Sequence, residues 1–550
     1  MMKFYTLFSA ALVAASAFAA PAHTPLQQTR FKGTKAPAAS MEKFRFSPTL
    51  HKSTLRKAPA KAPALSDIIP GRPDGESTFY ERASVGYLVF FGNVFAMEDS
   101  GAVCEIVKGD DGKTYLNVPI SGTYLDNWAE CTLTDTELVI PGNQPLMYEE
   151  EYGDFLTLTV LDFVEDEDGG WYYPADDQNF RMEVKDGVIS SEPGNGETIL
   201  GLCYYTPEDD YYEWAGFGDW NYVITPFTGV AEAGPADAAA TENWALLDDN
   251  DGYFVGVNAT EDSLYLRGLY PTLPDAWIKA PMTDGKAEIT EPVYVGMDTG
   301  HYIYFQPAAN ESVWDEWYED YVDEILPSSA PFVFVYDGEA RKITSEGILA
   351  ATHGVPSEDL WYAYATLENI TVVKQDRKAG IPPVAPSDLT DVPDPDYPEF
   401  TFVLPPFDVE GNLLDTSRLY YNVFVDGEIF VFYPDEYMEL TEEMTDIPYS
   451  FTENWDIVVD GTLREIYYYW NGVDTIGVRA FYLEEDGSKT YGEMTVLNLD
   501  ENGVKATAAE ALTTQYYDLH GIRVAAPGKG VFVSRSVMSD GSVKVSKTVR

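Results

Sequence analysis

The middle of this chain contains an internal sequence repeat of two copies. Gly101, Trp128 and Asp135 of a first copy recur in the same order as Gly252, Trp277 and Asp284 of a second. Protein cores tolerate extensive divergence when volume and hydrophobic pattern persist. We therefore predict that residues 101–224 and 252–373 adopt the same fold, with Trp128 and Trp277 in equivalent places. A duplication of this size indicates two copies of one module, not two halves of one catalytic site.

Strand signals dominate both copies and continue beyond them. Short runs rich in β-branched and aromatic residues, such as 155–161 and 332–336, are bounded by Asp-Gly, Asn-Gly and Pro. Asp426-Gly427 predicts a tight hairpin turn. One segment differs, because residues 313–326 carry apolar side chains at four-residue spacing and predict a helix. The fold class predicted is all-β, with tandem β-sandwich modules.

Changes in composition divide the chain into six segments. Ala, Gly and Pro without periodicity link the two copies, and Pro-rich stretches follow the second copy. The segments are a signal peptide at 1–19, a basic Pro/Ala-rich linker at 20–75, β repeat 1 at 76–228, β repeat 2 at 229–380, an immunoglobulin- or fibronectin-III-like sandwich at 381–500 and a β tail at 501–550.

The N-terminal segment has the order of an export signal. Lys3 precedes an apolar run at 7–13 that is too short to span a bilayer, and Ala17-Phe18-Ala19 has the small-x-small pattern of a cleavage site. We expect cleavage after Ala19 and export to the medium or the outer cell surface, with the periplasm as an alternative. A buried N-terminal helix is the competing interpretation. No other segment is apolar enough to predict a transmembrane span.

Charge excludes one class of partner. The chain carries 91 Asp and Glu against 35 Lys and Arg, a formal net charge of −56, although residues 27–64 are basic with Glu42 as their single acid. A body of this sign repels nucleic acid and anionic lipid. A nucleic-acid-binding arm at 27–64 is the sharper alternative to a spacer, and the acidic body argues against it.

Catalytic signals are missing from the sequence. It has no Gly-x-Ser-x-Gly elbow and no His-Glu-x-x-His motif, and acid pairs are expected by chance among 91 acids. His301 and His353 lie in the second copy, where each is interpreted as a surface or satisfied histidine. Cys104, Cys131 and Cys203 have no counterparts in that copy, so the fold cannot depend on a disulfide. We therefore predict that the protein is not an enzyme.

Two weaker patterns supply candidate binding residues. Exposed aromatic side chains form platforms for sugar rings, and the candidates for glycan contact are Trp214, Trp220, Trp314 and Trp317. Acidic turns ligate Ca²⁺ through carboxylates and carbonyls, and the candidate ligands are Asp166, Asp168, Asp248, Asn250 and Asp251. Core packing is the alternative for the aromatic residues, and ordinary polar turns are the alternative for the acids.

The tail carries a family resemblance. Tyr517-Asp-Leu-His-Gly-Ile-Arg-Val524, followed by Lys529-Gly-Val-Phe532, resembles the C-terminal segments of many secreted Bacteroidetes proteins. The resemblance implies a small β unit, and in some members of that group a sorting signal for type IX secretion. Ile522 and the extension at 539–550 depart from the pattern. The two copies resemble duplicated modules of the same kind of secreted protein, and 400–499 resembles a fibronectin-III or immunoglobulin-like domain in length and strand pattern.

Three function classes follow from these observations. The first is a non-catalytic secreted or cell-surface protein that contacts an extracellular protein or a glycan. The second is a structural surface protein without a small ligand, and the third is a carbohydrate-active hydrolase. The ligand and the oligomeric state are not encoded in any motif of the sequence.

Overall fold

A computed structural model describes most of the chain after residue 62. The described residues are 63–90, 93–123, 127–150, 152–166, 169–207, 211–248, 251–315, 320–354, 363–392, 398–434, 437, 440–452, 456–468, 473–499, 511–517, 523–524, 531–538 and 543–549. Almost every regular element among them is a strand, which confirms the all-β class. The cleavage site at Ala19 lies outside the described residues.

The first copy follows a short 3-10 turn, Leu65–Asp67, and its described residues form twelve strands. They are β1 (Gly75–Phe90), β2 (Asn93–Gly109), β3 (Thr114–Asn117), β4 (Trp128–Leu133), β5 (Glu137–Pro141), β6 (Gln144–Glu149), β7 (Asp154–Asp166), β8 (Gly169–Pro174), β9 (Asn179–Lys185), β10 (Val188–Ser190), β11 (Thr198–Thr206) and β12 (Tyr211–Pro226).

The second copy follows a 3-10 turn at Ala238–Ala240 and repeats the same order of strands. They are β13 (Glu242–Asp248), β14 (Asp251–Ala259), β15 (Ser263–Arg267), β16 (Trp277–Thr283), β17 (Lys286–Ile289), β18 (Val293–Asp298), β19 (His301–Asp315), β20 (Asp320–Pro327), β21 (Phe332–Asp337), β22 (Lys342–Glu346), β23 (Ile348–His353), β24 (Ala363–Glu368) and β25 (Thr371–Val373).

Strand pairing is the same in the two copies. In the first, β1 to β5 pair in sequence, β5 pairs β9, β9 pairs β10, and β12 pairs both β10 and β1. In the second, β13 to β17 pair in sequence, β17 pairs β21, β21 pairs β22, and β25 pairs both β22 and β13. Trp128 and Trp277 each open the fourth strand of their copy, as the alignment predicts.

Each ring of eight strands closes on itself, which leaves it without a free edge. The ring of the second copy is a closed barrel. Alternating sequence does not distinguish such a barrel from the predicted sandwich, because inward and outward residues alternate in both. What closes the ring is the hydrogen bonding of the first strand to the last.

The two barrel interiors are filled by equivalent side chains of different sizes. Leu138 lies opposite Met182 in the first copy, and Ala287 lies opposite Phe334 at the same place in the second. All four side chains are buried. The smaller partner is therefore matched by a larger one across the strand pair, which conserves core volume.

Four further strands of each copy form a sheet beside the barrel. In the first copy β7 pairs β6, β8 and β11. In the second copy β19 pairs β18, β20 and β23, so these are the counterparts. Residues 313–326 were expected to be helical, but the described residues among them, 313–315 and 320–326, lie in the paired strands β19 and β20 instead. The helix prediction was wrong because cross-strand pairing, which sequence spacing does not report, determines the structure of this segment.

The described parts of both copies belong to one compact unit, and the strands after residue 380 belong mainly to another. The second unit contains a sandwich and a 3-10 turn at Thr416–Arg418. Its strands are β26 (Ser387–Val392), β27 (Glu399–Val403), β28 (Leu419–Val425), β29 (Glu428–Ile429), β30 (Ile447–Pro448), β31 (Ile457–Asp460), β32 (Leu463–Tyr467), β33 (Thr475–Leu483) and β34 (Lys489–Asn498).

The two sheets of the sandwich have the strand order of an immunoglobulin-type domain. One sheet is ordered β26-β27-β32-β31, and the other is ordered β29-β28-β33-β34 with β30 added to β28. Phe402 of the first sheet contacts Tyr421 of the second, with 5.3 Å between ring centroids. Asp426 and Gly427 have φ values of 50° and 81° in the turn from β28 to β29, as a primed hairpin turn requires.

The C-terminal strands form a sheet of their own. They are β35 (Ala511–Tyr517), β36 (Arg523–Val524), β37 (Val531–Met538) and β38 (Val543–Val549), ordered β36-β35-β37-β38. Val533 pairs back with Tyr517, so the described tail residues form a small β unit, as the resemblance implies. Among the residues that the structure describes, no helix combines the length and apolar character needed to cross a membrane.

Candidate functional site

The β7–β8 and β19–β20 hairpins are equivalent elements, but they differ in what covers them. Tyr172 of β8 contacts Phe163 of β7 and Trp214 of β12, with ring centroids 5.0 and 4.3 Å apart. Trp314 of β19 instead meets Tyr321 of β20 edge to face at 5.3 Å. The first aromatic group is part of a core, and the second lies at the surface.

Trp214 and Trp220 are packing residues in this structure. Trp220 is buried against Tyr87, with 4.2 Å between ring centroids. Trp214 is half-buried and donates its indole N–H to the carbonyl of Phe217 at 2.9 Å. Both side chains therefore fit the core-packing alternative, because strand aromatics face inward wherever another layer covers them.

The covering layer is an extension of the first hairpin. Strands β1 and β2 continue past the barrel as far as the Phe90–Asn93 pair, and the extension of β1 pairs with β12 from Val85 to Leu88. In the second copy, the equivalent hairpin of β13 and β14 ends at the Asp248–Asp251 pair. That copy therefore has no counterpart of the Tyr87 layer among its described residues.

Trp314 and Tyr321 lie near the end of the β19–β20 hairpin and are exposed. Their exposed fractions are 51% and 64%, and they lie opposite each other on paired strands. Glu311 and Ser312, on the same strand as Trp314, are also exposed. Trp317 lies outside the described residues. The pair presents a corner of two rings, because the ring planes meet at 74°.

The acidic turns coincide with hairpin ends. Asp166 closes the β7–β8 pairing, and Asp248 pairs with Asp251 at the end of β13–β14. Asp168 and Asn250 lie outside the described residues. Within the described ranges, no group of three or more His, Cys, Asp or Glu side chains is arranged to hold a metal ion.

A buried charge cluster in the first copy lies beside the second copy, and no sequence pattern indicates it. Arg82 of β1 donates from Nη1 to Asp219 Oδ2 at 2.9 Å and from Nη2 to Asp99 Oδ2 at 2.8 Å. Asp219 is fully buried and accepts further hydrogen bonds from the hydroxyls of Ser84 and Ser121. Removing one partner of such a buried pair costs about 3–5 kcal/mol.

Burial and charge act in opposite directions on these groups. Burial raises the pKa of the Asp219 carboxyl, while Arg82 and the serine hydroxyls act to lower it. Burial also opposes ionisation of Asp99, yet the charges of His301 and Arg82 hold its pKa well below the ordinary range. Every bond described for Asp219 is donated to it, as suits an ionised carboxylate.

Asp99 extends the cluster to the second copy through His301. The Nε2 atom of His301 lies 2.8 Å from Asp99 Oδ1, and its Nδ1 atom lies 3.0 Å from the carbonyl oxygen of Thr299. The ring stacks on that of His353, with 3.9 Å between centroids and 16° between planes. Asp99 and His301 are far apart in sequence, and no spacing pattern predicts that they are in contact.

The three cysteines are inert packing groups. Cys104, Cys131 and Cys203 are free and buried. Burial raises the pKa of Cys104 and of Cys131 to about 12. Since the thiolate is the reactive form, these thiols are not nucleophiles at neutral pH.

The fold and these sites define a multidomain all-β protein with two copies of one module. The chain matches no protein-family model and no curated protein. Among solved structures it matches the extracellular domain of a hybrid two-component system from B. thetaiotaomicron at 12% identity and a TM-score of 0.12. That match covers 82% of this chain and 59% of the other. A score this low carries no argument about fold or function.

Proposed function

We propose that this is a non-catalytic extracellular binding protein that contacts neutral glycans through Trp314 and Tyr321. The observation that carries the proposal is the exposure of both rings on the β19–β20 hairpin, 51% and 64%. Large exposed aromatic groups at one place on a soluble protein mark interaction surfaces. The aromatic pair of the first-copy hairpin, Phe163 and Tyr172, packs against Trp214 instead, so an exposed aromatic pair on this hairpin is described only in the second copy.

Ring chemistry favours a sugar as the ligand. The electron-rich face of an aromatic ring attracts the weakly positive C–H groups on the apolar face of a pyranose. Two rings at 74° suit a ligand that contacts one ring with a face and the other with an edge. The formal net charge of −56 disfavours sulfated or other polyanionic glycans, which leaves neutral ones.

Export is part of the same proposal. The Lys3 to Ala19 segment directs the chain out of the cytoplasm, and the C-terminal sheet is a sorting or attachment unit of the kind seen in secreted Bacteroidetes proteins. The support is the order of charge, apolar run and Ala-x-Ala site, together with the Tyr517–Val524 motif.

A glycan array with the mature protein, run with and without calcium, tests this proposal. Binding of neutral glycans supports it, and loss of binding on chelation would assign calcium to the acidic turns. An array without any bound neutral glycan would refute the glycan proposal and favour a structural surface role. Appearance of shortened glycans would show that the protein is a hydrolase.

A further inference from the structure

The two copies meet edge to edge at a short contact. Val103 N donates to the carbonyl of Gly300 at 2.7 Å, and Ala102 pairs with His301. The hydroxyl of Ser100 donates to the carbonyl of His353 at 3.3 Å. These bonds join β2 of the first copy to the start of β19 and the end of β23 in the second, and we call this contact the seam. A change of charge at His301 or His353 therefore acts directly on the seam.

The ring of His301 lies between two hydrogen-bond acceptors. Its two ring nitrogens face the Asp99 carboxylate and the Thr299 carbonyl, and both of these groups are acceptors. A neutral imidazole has one N–H and satisfies only one acceptor, whereas the protonated ring satisfies both. Simultaneous positive charge on the stacked rings of His301 and His353 is unfavourable, because like charges at this separation repel strongly.

The groups that face the pair are contributed by several strands. Asp99 of β2 contacts His301 directly, and Arg82 of β1 lies behind Asp99. Asp219 of β12 forms an ion pair with Arg82. The carboxylate of Glu81 lies close to Gly354, which directly follows His353. Cys104, Tyr222 and Tyr302 are titratable groups near this charge cluster, and burial raises the pKa of each.

We infer that the stacked His301–His353 pair is an acid-sensitive latch between the two copies. At neutral pH His301 is held by Asp99, the stacked ring of His353 is neutral, and the seam is closed. Acidification adds a proton to His353, the two rings repel, and the bonds of Val103 and Ser100 across the seam weaken.

The sign of the pH effect follows from His353. Burial, and after it the nearby charge of His301, lowers the pKa of His353 well below its ordinary value of 6.5. The opened seam therefore binds this proton more readily than the closed one. Stability from the latch is complete above pH 6.5 and falls below it, by up to about tenfold in the closing equilibrium per pH unit. The pKa of Asp99 lies below its ordinary value of 3.8. Protonation of Asp99 therefore reduces stability further only below that pH.

Hydrogen exchange of the full-length protein tests the latch. The exchange rate of a peptide containing Val103 is compared for the wild type, His353→Gln and the control His51→Gln at pH of about 7 and about 5, either side of the ordinary histidine range. We expect the ratio of wild-type to His353→Gln exchange to rise at least about tenfold between the two pH values. The His51→Gln protein should follow the wild type. A ratio that is the same at both pH values would overturn the proposal.

A second measurement needs no change at His353. The chain has five histidines, so ¹³C-histidine labelling of the wild type yields few ring signals. One ring should stay neutral down to a pH of about 5, where exposed histidines are charged. Normal titration of all five rings would overturn the latch even if His353→Gln did not fold.

Discussion

The ring of Phe227 lies flat on that of Tyr302, with 3.7 Å between centroids and 4° between planes. Phe227 directly follows the last strand of the first copy, and Tyr302 belongs to β19 of the second. Phe227 also contacts Tyr294 at 5.0 Å. The link between the copies is therefore anchored at its start by aromatic packing, in addition to the backbone bonds of the seam.

Replacing Phe227 with Ala should lower the free energy of unfolding of the two-copy unit by about 2 kcal/mol, because a half-buried aromatic contact is lost. Denaturant unfolding with tryptophan fluorescence measures the change. Val230→Ala is the matched control, since Val230 is in the same link and 84% exposed. A change within about 0.5 kcal/mol is expected there. Equal effects of both changes would contradict the anchoring role.

Gly101→Ala should be far more damaging than an ordinary glycine substitution. Its φ is 70°, and an added Cβ would lie 2.1 Å from the backbone nitrogen of Gly354 across the seam. Backbone strain and displacement of Gly354 together should lower the free energy of unfolding by about 3 kcal/mol or more. Gly112→Ala is the control, because Gly112 has φ 85° and open space around it. The control should lose about 1 kcal/mol of unfolding free energy. Thermal unfolding of both variants measures the difference, and equal losses would contradict the prediction.

How far the sequence predicts the structure depends on whether a feature is local or duplicated. The Asp426-Gly427 turn is predicted because two positive φ angles need those residues. The equivalence of Trp128 and Trp277 is predicted because the two copies share one order of motifs. The packing of Trp214 against Tyr172 is not predictable in this way, since sequence does not show which strand face another layer covers.

The remaining features depend on long-range contacts. Asp99 and His301 are 202 residues apart in sequence. Bulges in the pairing of β1 with β2 and with β12 bring Arg82, Asp99 and Asp219 together, and a bulge has no reliable sequence signature. The β19–β20 hairpin was mistaken for a helix, although its counterpart in the first copy contains a recognisable strand at 155–161.

The mature protein should begin at Ala20, because the charge, the apolar run and the small-x-small site occur in the order that signal peptidase requires. N-terminal sequencing of protein recovered outside the cytoplasm checks this. A sequence that begins at Met1 would show that the segment is not a cleaved signal.

Deleting Gln515–Arg550 should yield a folded protein that is retained in the cell envelope, if the C-terminal sheet is the sorting unit. Fractionation and the thermal midpoint of the purified protein are compared with those of the full-length chain. A lower midpoint would show that the tail stabilises the sandwich instead. Normal localisation with an unchanged midpoint would remove both roles.

The proposed binding surface is tested most directly by the affinity of Trp314→Ala and Tyr321→Ala variants for a neutral glycan. The glycan used is the one that gives the strongest array signal. Each change should weaken the affinity about tenfold or more, as truncation of an aromatic contact residue does. Met297→Ala is the control, because Met297 is in the same copy and 50% exposed. Its affinity should equal that of the wild type. Wild-type affinity in both aromatic variants would contradict the claim that the uncovered β19–β20 hairpin is the binding surface.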